Sequence, residues 1–93
     1  MNPFLFEFIG TLVFMYVILA TKGNPYVMGC SIILLVIIGS KISTSGTLLN
    51  PAVTVAMMSA GKVGGKDVAP YIGAQILGGI AAVELYKRLK FSA

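Results

Sequence analysis

Three stretches of the chain, over about residues 3–21, 25–42 and 67–88, are apolar for close to the roughly 20 residues that an α-helix needs to cross a 30 Å hydrocarbon core. A chain of 93 residues that spends most of its length this way has little left with which to build a water-facing shell. Only 11% of its residues are charged and 57% are hydrophobic, where a soluble domain carries about a quarter charged. The expected solvent is therefore lipid. In lipid the backbone must satisfy its own hydrogen bonds, so the predicted class is an all-α, multi-pass integral membrane protein. The first span is not read as a signal peptide, because no Lys or Arg precedes it and its exit runs into Lys22 and further apolar runs.

Seven Lys and Arg stand against Glu7, Asp67 and Glu84, a net charge of +4. In a soluble chain this excess would suggest nucleic acid. Here the basic residues sit at the ends of apolar runs, where they anchor helices to headgroups, and no nucleic-acid partner is expected. The chain has no His and the single Cys30, so the usual zinc, haem and Cys/His catalytic sets are excluded, as is an intrachain disulfide. No helical face carries a nucleophile with its base, paired carboxylates or a phosphate cradle. The expectation is no cofactor, no metal and no enzymatic activity.

Between the second and third spans the pattern breaks. Residues 43–49 are rich in Ser, Thr and Gly, and they lead into Asn50, Pro51 and an apolar stretch that stops at Gly61. Asn is a favoured N-cap and Pro a favoured first helical residue, so a helix is predicted to begin at Asn50 and run to about Ala60. Some ten residues reach only about 15 Å, half the membrane. A polar extended segment followed by a half-length helix is the pattern of a re-entrant loop, here over 43–61, and lipid tolerates such backbone only where protein or water surrounds it. Asn24 and Pro25 are a second cap of the same kind, opening the second span. Lys62 to Lys66 reads as a Gly-rich turn, with Asp67 as the cap of the last helix.

Two further features bear on assembly. Ala74, Gly78 and Ala82 repeat at four-residue spacing, and with Gly10 they offer small surfaces on which another backbone can come close. With three spans and a re-entrant loop, Lys41, Lys62 and Lys66 fall on one side of the membrane and Lys22, Lys87, Arg88 and Lys90 on the other. Because the Lys/Arg bias sets orientation, three against four predicts a weak preference and insertion both ways.

The run Ser45-Gly46-Thr47-Leu48-Leu49-Asn50-Pro51-Ala52-Val53-Thr54 resembles the first Asn-Pro-Ala loop of the aquaporin and aquaglyceroporin channels, the major intrinsic protein family. Glu7, Gly10 and Thr11 resemble the Glu-x-x-Gly-Thr of that family's first helix, and Tyr71, Ala74, Gln75 and Gly78 the Ala-Gln-x-x-Gly of its third. The resemblance spans the whole chain but only the first of the family's two inverted repeats. It implies three spans plus one re-entrant half-helix, half of an aquaporin-like fold, in a single repeat over 1–93. It implies that the Asn50 amide, with Pro51 and Ala52 beside it, donates to a passing oxygen, and that the carbonyls of Ser45, Gly46, Thr47 and Leu48 line the approach. Counting back from Asn50, it places Cys30 at a helix-two constriction position, alongside Val53. It makes Glu7 a structural acceptor for the re-entrant backbone and Gln75 a bridge between helices. The departures matter too. Val53 stands where the second loop of the family has its constriction arginine, and Leu48 where first-half loops often have a histidine, so a symmetric pore would have a broad neutral filter.

The expected function is a passive channel for water or small neutral solutes such as glycerol, completed by a second, inverted half. An antiparallel copy of the same chain is favoured over a separately encoded partner. Two alternatives stay open: a proton-coupled transporter working through Glu7, and a non-conducting subunit that awaits another chain.

Overall fold

The computed structural model describes residues 1–43 and 46–89. They form four helices: α1 (Pro3–Ala20), α2 (Pro25–Ile42), α3 (Pro51–Ser59) and α4 (Gly65–Leu89). Three of these, α1, α2 and α4, are long and apolar enough to cross a membrane, and the nine residues of α3 are not. The chain is an all-α membrane protein of three spans and one half-length helix.

The first three helices open in the same way, with an Asn followed by Pro. Asn2 Oδ1 accepts from Phe4 N and Leu5 N, and Asn24 Oδ1 from Tyr26 N and Val27 N. Asn50 Oδ1 accepts from Ala52 N at 2.7 Å. In each case the side chain takes up N–H groups that have no partner inside the helix, and the proline contributes a φ already set for it. Between α1 and α2 the chain reverses within Thr21 to Asn24, with Lys22 and Gly23 in the left-handed region at φ 55° and 74°.

The last helix departs from expectation at its start. It begins at Gly65, two residues before Asp67, and the Asp67 N–H donates to Gly64 O at 2.9 Å. Asp67 therefore lies inside the first turn, where its carboxylate faces the positive end of the helix, and does not cap it. Two adjacent glycines read as a turn. The first turn is where a helix has least to lose from glycine, since its N–H groups lack helical partners in any case.

The core is the contact of α1 with α4, which run parallel. Phe4 meets Tyr71 with ring centroids 4.8 Å apart, and Tyr16 meets Tyr86 edge-on at 5.8 Å. Between these aromatic pairs the two backbones close on each other. A Cβ added to Gly78 would strike the carbonyl oxygen of Phe8, and Ala82 is fully buried. The backbone that closes on the small-residue stripe belongs to the same chain, because Gly78 and Ala82 face α1, with Ala74 half-buried beside them.

The second helix packs on α1 and not on α3 or α4. Its buried residues are Leu35 and Gly39, while Ile33, Leu34, Val36, Ile37 and Ile38 are exposed. The Met1 amino group donates to Ile42 O at 2.5 Å, which sets the start of α1 beside the end of α2. Lys41, Lys62 and Lys66 thus share one end of the bundle, and Lys22, Lys87 and Arg88 share the other. Lys90 lies outside the described residues.

Candidate functional site: a pinned loop and a half-length helix

From Gly46 to Leu49 the chain has no secondary structure, and two residues, Gly46 at φ 75° and Leu49 at φ 58°, hold the left-handed region. For a bulky residue such as Leu49 that conformation is costly, so the surroundings must impose it. They do so through Glu7. Its carboxylate is 1% exposed, and Oε2 accepts from Leu48 N at 2.9 Å while Oε1 accepts from Leu49 N at 2.6 Å. Gln75 Nε2, from α4, donates to the same Oε1 at 2.9 Å. Three N–H donors take the place of a counter-ion, and hydrogen bonds to a carboxylate are among the strong ones.

The network continues into the half-length helix. Gln75 Nε2 also donates to Thr54 Oγ1 at 2.8 Å, and Thr54 Oγ1 donates to Asn50 O at 2.9 Å. Glu7, Gln75 and Thr54 are the three largest fully buried side chains. They tie α1, α4, the loop and α3 to one another at a single point. On the other side of the loop, Thr47 Oγ1 donates to Leu35 O of α2 at 3.1 Å and lies against Gly39, where any side chain would collide with it. Two buried polar atoms, Thr11 Oγ1 and Gln75 Oε1, have no hydrogen-bond partner among the described residues.

These contacts set the depth of α3. Leu49 Cδ2 would lie 2.8 Å from a Cβ on Gly10, the eighth of the eighteen residues of α1. The chain therefore enters α3 close to the middle of the first span. From there α3 runs about 14 Å toward the end that carries Lys62 and Lys66. Its opening residues Asn50, Pro51, Ala52 and Val53 are all exposed. With Asn50 Oδ1 engaged as a cap, its amide nitrogen donates to no described residue, and neither does the Val53 N–H. No described residue donates to the carbonyls of Gly46, Thr47 or Leu48. Polar groups are thus left open at mid-depth, where hydrocarbon cannot satisfy them.

The other residues singled out from the sequence fall as follows. Ser45 lies outside the described residues. Cys30 is exposed on α2, about 9 Å in from its Asn24 end, in the half of the span that α3 does not enter. Because α2 and α3 do not pack, Cys30 and Val53 are not brought together within one chain. Gln75 and Gly78 both face α1. The loop motif alone assigns Thr54 no role, although a hydroxyl four residues after a helix cap is placed to bond back to the cap carbonyl.

Comparison with known proteins agrees with this architecture. The family model described as Major intrinsic protein matches residues 22–92. Aquaporin Z of Rhodopseudomonas palustris is 54% identical over 41 residues, which is 44% of this chain and 17% of that protein. Aquaporin NIP6-1 of Arabidopsis thaliana is 33% identical over an alignment covering 82% of this chain and 28% of its own length. The chain thus spans less than a third of either relative. No solved structure matches it. With three apolar helices of spanning length and a family match over most of its residues, the chain is a multi-pass integral membrane protein, and it belongs to the major intrinsic protein family.

Proposed function

We propose that this chain supplies one half of a passive membrane channel for water or small neutral solutes, completed by a second half inserted the other way up, and that the second half is a copy of the same chain. The observation that carries the reading is the depth of α3. It begins at the middle of the span with Asn50 and Val53 exposed and with the Asn50 amide and the Val53 N–H donating to no described residue, and it fills half the membrane. Two such helices set end to end sum to about the 30 Å core, and each offers the other's open mid-plane a polar surface. Water or a small alcohol accepts from Asn50 as it passes, and the Gly46 to Leu48 carbonyls act as acceptors on the approach. Each helix N-terminus is equivalent to about half a positive charge, and two facing each other disfavour cations. No bond is made or broken.

The near-even division of Lys and Arg between the two ends supports insertion in both orientations. The hydrogen bonds of Glu7 favour the channel over proton coupling, since a carboxylate that holds three N–H donors cannot give them up at each cycle without releasing the loop. The test is osmotic shrinkage of liposomes that hold the purified chain, followed by stopped-flow light scattering under sucrose and then glycerol. Shrinkage faster than in empty liposomes, lost in Asn50→Leu, supports a pore built by this chain alone. No excess flux from folded protein would mean that the second half is a different chain.

A further inference from the structure

Away from the loop, α1 and α4 leave a second feature that the channel reading does not use. Toward the end marked by Lys22, an open groove of about 360 Å³ lies between the two helices. It is lined by Leu12, Val13, Tyr16, Val17, Leu85 and Leu89. Its only polar group among these side chains is the Tyr16 hydroxyl. At 3.6 residues per turn, Tyr16, nine positions after Glu7, points away from Glu7 on the opposite side of α1. The groove therefore opens on the face turned away from the loop and from α3, which an inverted second half approaching Asn50 would leave uncovered.

The charge at the rim indicates what fills it. The parallel packing of α1 and α4 sets Tyr16 level with Tyr86, so Lys22, just past the end of α1, stands within a few residues' rise of Lys87 and Arg88. All three are exposed. The carboxylate nearby in sequence, Glu84, is engaged by Lys87 at 3.5 Å, which leaves Lys22 and Arg88 without a carboxylate partner among the described residues. An apolar slot about one turn below the membrane surface, an aromatic pair at its edge and uncompensated cations above it match the parts of one molecule: an acyl chain, a glycerol backbone and a phosphate.

We infer that this groove is a binding site for an anionic phospholipid of the surrounding bilayer, with one acyl chain lying along Leu12, Val13, Leu85 and Leu89 and the headgroup phosphate held by Arg88 and Lys22. The site needs no flux and does not depend on the channel reading.

The test is electron spin resonance of the full chain in bilayers containing spin-labelled phosphatidylglycerol or spin-labelled phosphatidylcholine at equal mole fraction. The motionally restricted fraction should favour phosphatidylglycerol by about fivefold for each cation engaged. The double variant Lys22→Gln, Arg88→Gln should remove that preference, while Lys41→Gln, Lys62→Gln at the opposite end should keep it. Leu85→Trp, which fills the slot, should lower the restricted fraction for phosphatidylglycerol while the helix content by circular dichroism stays unchanged. Equal retention of the two lipids by the unaltered chain would overturn the assignment. So would a preference that survives Lys22→Gln, Arg88→Gln. Efficient chain-to-chain crosslinking through Val13→Cys would overturn it as well, by showing that a second copy occupies the groove.

Discussion

Asn24-Pro25 and Asn50-Pro51 are the same dipeptide doing the same local work, yet one opens a span of 18 residues and the other a helix of nine. Asn24 stands at the membrane surface, beside Lys22, and its oxygen takes two N–H groups at 3.0 and 3.2 Å. Asn50 stands at mid-depth, preceded by a left-handed Leu49, and its oxygen takes one. A cap at the surface is interchangeable with water. A cap at mid-depth has polar groups that only protein or water can meet, and it needs Glu7, Gln75 and Thr54 to keep it there. Identical local chemistry thus becomes either an ordinary helix start or a candidate pore element, according to what holds it and at what depth.

The largest way to break that difference is to release the loop. Glu7→Gln replaces one acceptor oxygen by an NH₂ that faces a backbone N–H, and removing one partner of a buried charged network costs about 3–5 kcal/mol. The expected outcome is a large drop in the midpoint of unfolding by SDS in mixed micelles, with flux lost at the same time. An unchanged midpoint would show that Glu7 does not pin the loop. Next comes Gly78→Val, which drives a side chain into the Phe8 carbonyl and should cost about 1–3 kcal/mol or more. Gly79→Val, where a Cβ meets nothing within 4 Å, serves as its neutral control in the same unfolding assay.

Smaller in stability, Thr54→Val leaves Gln75 Nε2 with one acceptor fewer and is expected to cost about 1–3 kcal/mol. Serine at position 54 should recover most of it, because the hydroxyl and not the methyl makes the bonds. The smallest changes sharpen the comparison most. Asn24→Ala and Asn50→Ala should each cost about 1 kcal/mol as lost caps, similar in an unfolding scan. In liposome shrinkage they should part, with Asn24→Ala conducting normally and Asn50→Ala impaired. Equal flux in the two would place Asn50 on the same footing as Asn24.

Much of this was legible in the order of residues. The spans follow from apolar run length alone, and the short helix follows from the distance between Pro51 and Gly61. That Glu7 would need partners followed from its being a charge inside a span. Other parts were hidden. The start of α4 at Gly65 is masked by a glycine pair that looks like a turn. The bond of Thr54 to Asn50 O is local, but its bond from Gln75 is invisible from its own neighbourhood, because Gln75 lies 21 residues on. The stripe at Ala74, Gly78 and Ala82 announces a close backbone contact, but spacing says nothing about whether the facing helix belongs to the same chain.

What the sequence settled by itself are properties that depend on one stretch at a time: lipid as solvent, three helices that cross and one that cannot, and an Asn-Pro start for the second span and the short helix. These rest on length, hydropathy and backbone chemistry, which act locally. Tertiary structure alone decided where things meet: α4 beside α1 in parallel, a loop held to Glu7 through Leu48 and Leu49, and α3 beginning level with Gly10. Depth in the membrane is a relation between segments far apart in the chain, set by a few buried hydrogen bonds and one close backbone approach. No local pattern carries it, because the groups that fix it become neighbours only once the helices have packed.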